Sequence, residues 1–112
     1  MDEKELINIC LQLEDTYDDY PFGDGWAVMK HKSTGKWFAC VFFRDGLCIN
    51  VKCNPTEGDM WRRLFEDIMP AYHMNKEHWI MIKLGGDVPM DLVRGLVGGS
   101  YDLTKHNKTK SK

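Results

Sequence analysis

The sequence predicts an α+β domain built on an antiparallel sheet of about four strands, with helices packed on one face of the sheet. Three observations predict this class: an amphipathic segment at the start, three apolar segments separated by short turn signals, and a final helix–strand–helix run. Strands joined by short turns pair antiparallel, and helices then cover one face of the sheet. The predicted order is αβββαβα, and 112 residues suffice for one domain with one core.

The first helix is predicted over about residues 3–15, where apolar side chains recur at helical spacing. Two glycines and a proline within residues 18–25 then end it. Three strands follow, over residues 26–32, 37–43 and 47–53, because these segments are apolar or alternate between apolar and polar positions. Short hairpins at residues 33–35 and 44–46 join them, and the second contains an Asp-Gly turn signal.

The second half of the chain predicts a helix, a strand and a last helix. Asn54 and Pro55 are typical of a helix start, and that helix runs to about Asp67. Residues 79–84 form the fourth predicted strand, and residues 87–89 open the last helix, which three glycines weaken. The apolar period ends after Tyr101, so we predict a single domain over residues 1–104 and a frayed basic tail over residues 105–112.

Composition indicates a water-soluble protein of the cytoplasm. The hydrophobic fraction is 43% and the charged fraction 29%, both within the range of soluble globular proteins. No apolar run approaches the roughly 20 residues needed to span a bilayer, so no membrane contact is predicted. The N-terminus carries neither a basic start nor an apolar signal core.

Charge is divided unevenly along the chain. Residues 1–25 carry eight acidic side chains and one lysine, for a net charge of −7, whereas the remainder carries +5. One interpretation is a solvated acidic face on the first helix. A second is a carboxylate ridge that binds hard or borderline cations, formed by Glu3, Glu5, Glu14, Asp15, Asp18 and Asp19.

Candidate catalytic and metal-binding residues are few. The four cysteines form no Cys-x-x-Cys pair and fall mostly in apolar runs, which predicts free, buried thiols. His73 and His78 stand five residues apart, which fits no helical metal pair. A catalytic Cys–His pair needs a cysteine in an exposed, electropositive setting, and Cys53, after Lys52, is the only candidate for it. The sequence therefore predicts no enzyme, no cofactor and no metal site.

Basic residues at the hairpins indicate a phosphate-binding surface. Lysines at exposed turns usually serve solubility, but basic side chains at two hairpin tips beside an aromatic sheet are placed to contact DNA phosphates. The candidate nucleic-acid-binding residues are Lys30, Lys32, Lys36, Arg44 and Lys52.

Residues 70–79, here called the signature segment, mix polar and apolar side chains without a helical or strand period. One hypothesis is a pocket that holds a small anion or a protein partner's peptide, because its amides, imidazoles and ammonium groups donate to carboxylates or phosphates. The alternative is a structural use in which these groups satisfy the backbone of an irregular connection. The candidate pocket residues are Asn50, Lys52, Tyr72, His73, Asn75, Lys76, His78 and Trp79.

The signature segment, Pro-Ala-Tyr-His-Met-Asn-Lys-x-His-Trp, resembles that of the MmcQ/YjbR family of small bacterial proteins. Further matching pieces run in order over about residues 20–103: Tyr20-Pro-Phe-Gly, Gly35-Lys36-x-Phe38-Ala39, Asn50-Val-Lys52-Cys53-Asn-Pro55, Pro89 and Ser100-Tyr101-Asp102-Leu103. The resemblance implies a fold related to the frataxin (CyaY-like) α/β sandwich. It also implies DNA binding by a "double wing" of two hairpins, here residues 32–36 and 44–46. The acidic N-terminal quarter departs from the pattern of a basic relative.

Overall fold

Within residues 1–105, which the computed structural model describes, one six-stranded antiparallel sheet is covered by three helices. The strands lie in the order β1-β2-β3-β4-β6-β5. The predicted basic tail lies outside the described residues, except for Lys105, which ends the last helix. The elements are α1 (Glu3–Leu11), β1 (Thr16–Asp19), β2 (Trp26–His31), β3 (Trp37–Phe43), β4 (Leu47–Lys52), α2 (Pro55–Leu64), β5 (Ile68–Pro70), β6 (Trp79–Lys83) and α3 (Met90–Lys105).

The α+β class is confirmed, whereas the predicted four strands and the CyaY-like order αβββαβα are wrong in detail. Along residues 1–105 the order is αββββαββα, because β1 and β5 add one strand at each edge of the sheet. Helix α1 also ends at Leu11 rather than near residue 15, and Asp15 adopts a left-handed conformation with φ 61° as the chain turns into β1.

Local signals place the helix starts. Asp2 accepts a hydrogen bond from the Glu5 backbone N–H, and the Glu5 side chain accepts one from Asp2 N–H, which forms a capping box. Asn54 accepts from the Thr56 backbone N–H at the start of α2, and Pro55 occupies the first helical turn.

The helices pack on one face of the sheet, and the main core lies between them. Strand residues at alternating positions, such as Ile49 and Val51, contact α1 and α3 there, and Leu6 and Val93 supply fully buried helical side chains. The opposite face of the sheet, here called the open face, carries a second, smaller cluster. It contains Val28, Cys40, Phe42, Cys48 and Met81, with Trp26, Trp37, Met69, Tyr72 and Met74 packed around them.

All four cysteines are free and buried. Burial raises the pKa of the Cys10 and Cys40 thiols to about 12, and it also raises the pKa of Cys53. Thiols with raised pKa values are poor nucleophiles, so these side chains serve as small core residues.

Two glycines of α3, Gly95 and Gly99, lie where a larger side chain would meet no neighbouring atom. A methyl group built on Gly95 or Gly99 meets no atom within 4 Å, so neither glycine is required for close packing. We expect alanine at both positions to raise the free energy of unfolding by about 1–2 kcal/mol in total, because alanine loses less backbone entropy than glycine in a helix. Urea denaturation measures the effect.

Gly58 of α2 provides the matched control for these substitutions. There a methyl group would lie 3.2 Å from Cγ2 of Ile80 on β6, so Gly58→Ala should not stabilise the protein. A Gly95→Ala, Gly99→Ala variant that unfolds at lower urea concentration than the parent would contradict the interpretation.

Candidate functional site

The signature segment lies across the open face of the sheet and is anchored there by its own polar groups. Asn50 Nδ2, on β4, donates to the Tyr72 carbonyl oxygen at 2.9 Å. Asn75 Oδ1 accepts from the backbone N–H groups of Glu77 and His78, and Lys76 Nζ donates to the Ala71 carbonyl oxygen at 2.9 Å. Asn50, Asn75 and Lys76 therefore hold the backbone of this irregular connection.

Aromatic rings fill the space between the segment and the sheet. Trp26 stacks on Phe42 with ring centroids 4.2 Å apart, and the His73 ring lies 3.9 Å from Tyr72 and 6.0 Å from Trp26. Phe22 stands edge-on to Trp26. His73 has φ 62°, a left-handed conformation that non-glycine residues seldom adopt. This conformation accompanies the placement of the imidazole beside Trp26.

Five side chains around these rings line the larger of two adjoining depressions, here called the aromatic groove. Its volume is about 620 Å³, and its lining is formed by Phe22, Trp26, Trp37, His73 and Met74. Phe22 is 69% exposed although it is a large apolar residue. The groove is therefore lined mainly by aromatic and apolar side chains, as small-molecule and partner-binding clefts are.

The second depression, here called the lysine groove, has a volume of about 240 Å³ and shares Trp37 and Met74 with the first. It lies at the end of the sheet where β4 ends and β6 begins, since Lys52 pairs with Trp79. Lys36 is exposed on the first hairpin. The lining residues are Lys36, Trp37, Lys52, Met74, Trp79, Leu103 and Thr104.

The structure brings some of the predicted nucleic-acid-binding residues together and separates others. Lys36 and Lys52 line the lysine groove, and Lys32 is exposed on the same hairpin as Lys36. Lys30 Nζ instead pairs with Asp19 Oδ2 at 2.6 Å. That hydrogen bond raises the pKa of Lys30 and lowers the pKa of Asp19.

Arg44 lies apart from these lysines. The two hairpins stand at opposite ends of the seven-residue strand β3, a separation of about 20 Å at the usual rise per residue. The Arg44 guanidinium stacks over the Tyr72 ring at 3.9 Å, which directs it towards the signature segment.

The predicted pocket residues are divided in the same way. Lys52 and Trp79 line the lysine groove and His73 lines the aromatic groove, whereas Asn50 is fully buried. Tyr72 is half-buried beneath Arg44, and Asn75 and Lys76 bond to nearby backbone. His78 is exposed, and its Nε2 lies 3.9 Å from the Glu77 carboxylate.

The acidic residues do not form the ridge on the first helix that the sequence suggested. Glu14 and Asp15 lie beyond the end of α1, Asp18 hydrogen-bonds the Tyr20 hydroxyl, and Asp19 pairs with Lys30. Among residues 1–105, no group of three or more histidine, cysteine or acidic side chains is arranged to hold a metal ion.

The sequence prediction missed six groove residues: Phe22, Trp26, Trp37 and Met74 of the aromatic groove, and Leu103 and Thr104 of the lysine groove. Phe22 and Met74 stand in segments that match the family, but no motif contains Trp26, and strand pairing brings Trp26 and Trp37 to the open face from different strands. His31, which lies beside the hairpin lysines in sequence, is 2% exposed, and its Nε2 lies 2.8 Å from Thr104 Oγ1. Burial lowers its pKa, so it adds no charge to the basic surface at neutral pH.

These features define an α+β domain with an aromatic groove on the open face of its sheet and an adjoining lysine groove at one end of the sheet. The family model YjbR matches residues 11–103. The chain belongs to the YjbR family.

Relatives and solved structures agree with this assignment. The chain is 35% identical to the Bacillus subtilis protein YyaQ, over 80% of this chain and 86% of YyaQ, and 32% identical to Escherichia coli YjbR, over 87% and 81%. The crystal structure of a Deinococcus radiodurans protein with a DUF419 domain is similar with a TM-score of 0.81 and 32% identity, covering 89% of this chain and 75% of that one. A Pseudomonas syringae protein is similar with a TM-score of 0.82 and 30% identity, covering 93% and 99%.

No helix within residues 1–105 is long and apolar enough to cross a bilayer.

Proposed function

We propose that this chain is a non-enzymatic DNA-binding module of the cytoplasm, and that it binds through the lysine groove. The observation that carries the proposal is that Lys36 and Lys52 line one depression, together with Trp37 and Trp79. These lysines are 16 positions apart in the chain. Two lysines that line one groove, with Lys32 exposed on the same hairpin as Lys36, are suited to follow a phosphate backbone.

Both lysines of the groove are available to an anion. Within the described part of the chain, neither Lys36 nor Lys52 has a carboxylate oxygen within 4.0 Å of its ammonium group. Lys30, in contrast, is already paired with Asp19, so we assign it no phosphate. The proposal therefore uses Lys32, Lys36 and Lys52 from the predicted set.

The interface has one hairpin rather than two wings. A flat contact that included Arg44 would have to extend along the whole length of β3, and it would also have to displace the Arg44 guanidinium from Tyr72. The overall charge of −2 opposes tight electrostatic binding, so we expect weak, strongly salt-dependent affinity.

The test is a fluorescence-anisotropy titration with a labelled 20-mer oligonucleotide, both as a duplex and as single strands, at 50 mM and 200 mM salt. Replacement of Lys36 and Lys52 with alanine should weaken binding about tenfold or more. It should also lower the slope of log K against log salt by about 2, since each lysine accounts for about one phosphate.

The control is the double variant Lys4→Ala, Arg94→Ala, which removes the same charge from exposed positions on α1 and α3, on the helical side of the sheet. It should bind nearly as the parent does. Absence of binding to every form of DNA at 50 mM salt would overturn the proposal, as would equal losses in the two double variants.

A small-anion site in the lysine groove is the second candidate, because Lys36 and Lys52 would also hold a single phosphate or carboxylate. Calorimetric titration with inorganic phosphate distinguishes a small-anion site from a DNA-binding site. Saturable phosphate binding without DNA binding favours the small-anion site.

A further inference from the structure

We infer that the aromatic groove stacks unpaired bases, so that the nucleic acid bound by this chain is single-stranded. The inference rests on the DNA-binding function proposed above and adds to it the form of the ligand. The observation behind it is that the aromatic groove adjoins the lysine groove, since Trp37 and Met74 line both. The other rings of the aromatic groove are those of Phe22, Trp26 and His73.

The rings at the rim of the groove are the ones a ligand can reach, since Phe22 is 69% exposed and His73 is exposed, whereas Trp26 is stacked on Phe42. Phe22 stands edge-on to both indoles, with centroids 6.4 Å from Trp26 and 6.0 Å from Trp37 and interplanar angles of 75° and 70°. These edge-on contacts place Phe22 against both indoles, and the groove beside them is open to solvent at the exposed rings of Phe22 and His73. The volume of about 620 Å³ is within the range of small-molecule sites.

One wall of the groove is supported by a strained residue. His73 adopts φ 62°, and its ring lies against Tyr72 at an interplanar angle of 40°. The Arg44 guanidinium also lies over the Tyr72 ring, at 3.9 Å. Backbone strain of this kind persists where the surrounding structure enforces it, and it is concentrated at binding sites. Met74 provides a flexible, polarizable contact beside it.

A duplex would make no use of these ring faces. In double-stranded DNA each base is stacked between its neighbours, so the major and minor grooves of the DNA offer only base edges and phosphates. A single strand exposes its base faces, and single-strand-binding proteins combine aromatic platforms with a positively charged track for the backbone. Here bases in the aromatic groove would leave the adjoining phosphates over Lys36 and Lys52.

The experiment compares three labelled probes of one length at 50 mM salt: oligothymidine of 12 nucleotides, an abasic 12-mer with the same phosphates, and a 12-base-pair duplex. The parent should bind oligothymidine at least tenfold more tightly than either other probe, because stacking requires a free base. Tryptophan fluorescence should be quenched by oligothymidine but not by the abasic strand.

Two variants test the groove itself. Phe22→Ala removes an exposed ring, and His73→Gly removes the imidazole while tolerating the left-handed backbone. The combined variant should lose the preference for oligothymidine over the abasic strand and keep its salt dependence. Lys36→Ala with Lys52→Ala should lower the salt dependence and keep the preference. Circular dichroism and urea midpoints establish that each variant is folded.

The outcomes separate this inference from the proposal beneath it. Salt-dependent binding that is equal for oligothymidine, abasic strand and duplex would overturn base stacking and leave DNA binding supported. Failure of every probe to bind at 50 mM salt would overturn both. Retention of the base preference in the Phe22→Ala, His73→Gly variant would also overturn base stacking in this groove.

Discussion

Replacement of Ser100 with alanine is expected to lower the free energy of unfolding by about 3 kcal/mol, a large part of the 5–15 kcal/mol of a typical domain. The Ser100 hydroxyl, fully buried on α3, accepts from the Lys52 backbone N–H at 2.8 Å and donates to the Phe38 carbonyl oxygen at 2.6 Å. It thus continues the β3–β4 ladder by one step, since the paired register ends at Ala39 with Val51. Alanine would leave both backbone groups unpaired, at about 1–3 kcal/mol each.

Urea denaturation followed by circular dichroism measures this loss. Ser33→Ala is the matched control, because Ser33 is exposed in the first hairpin turn and its loss should change stability by about 0.5 kcal/mol or less. A loss below 1 kcal/mol for Ser100→Ala would show that β3 and β4 close and bond directly without the hydroxyl. The same substitution should also weaken DNA binding, since Ser100 holds the backbone of Lys52.

The central part of the fold was predictable because its segments carry strong local signals. The three central strands and their two hairpins follow from apolar runs and from Asp45-Gly46, whose positive φ values suit a tight turn. The edge strand β1, with the sequence Thr-Tyr-Asp-Asp, has no apolar face. Strand β1 forms because its backbone pairs with β2 and because Asp19 pairs with Lys30. Both interactions join separate segments of the chain, so the local sequence of β1 does not predict them.

The site was predictable only in part, because chain proximity is a poor guide to which face a side chain occupies. His31 follows Lys30 directly, yet it lies in the core beside Thr104. Lys36 and Lys52 were predicted as separate members of a basic surface, and the strand register places them in one groove. The aromatic groove is formed by residues of two strands, one loop and the signature segment, which are distant in sequence. No local sequence pattern therefore predicts it.

Replacement of Asn50 with aspartate should be among the most damaging single changes on the open face. Asn50 is fully buried, its Nδ2 donates to the Tyr72 carbonyl oxygen, and its Oδ1 has no hydrogen-bond donor within residues 1–105. A carboxylate there would face a carbonyl oxygen without a compensating donor. We expect a loss of about 3–5 kcal/mol at pH 7, the cost of an unpaired buried charge.

The pH dependence of this loss has a definite sign. Burial raises the pKa of the new carboxyl above the unfolded value of about 3.9, so the folded state binds the proton more tightly than the unfolded state does. The penalty should therefore be greatest at neutral pH and should shrink as the pH falls towards about 4. Urea midpoints of variant and parent, compared at each pH, measure it.

Asn75→Asp is the control with identical chemistry. Asn75 is exposed, and its Oδ1 accepts from two backbone N–H groups, which a carboxylate can accept equally well. Its stability should stay within about 0.5 kcal/mol of the parent. Equal losses in the two variants would show that Asn50 does not anchor the signature segment. A selective loss in Asn50→Asp, accompanied by weaker oligothymidine binding, would tie the aromatic groove to this one amide, because Asn50 holds the Tyr72 backbone next to His73.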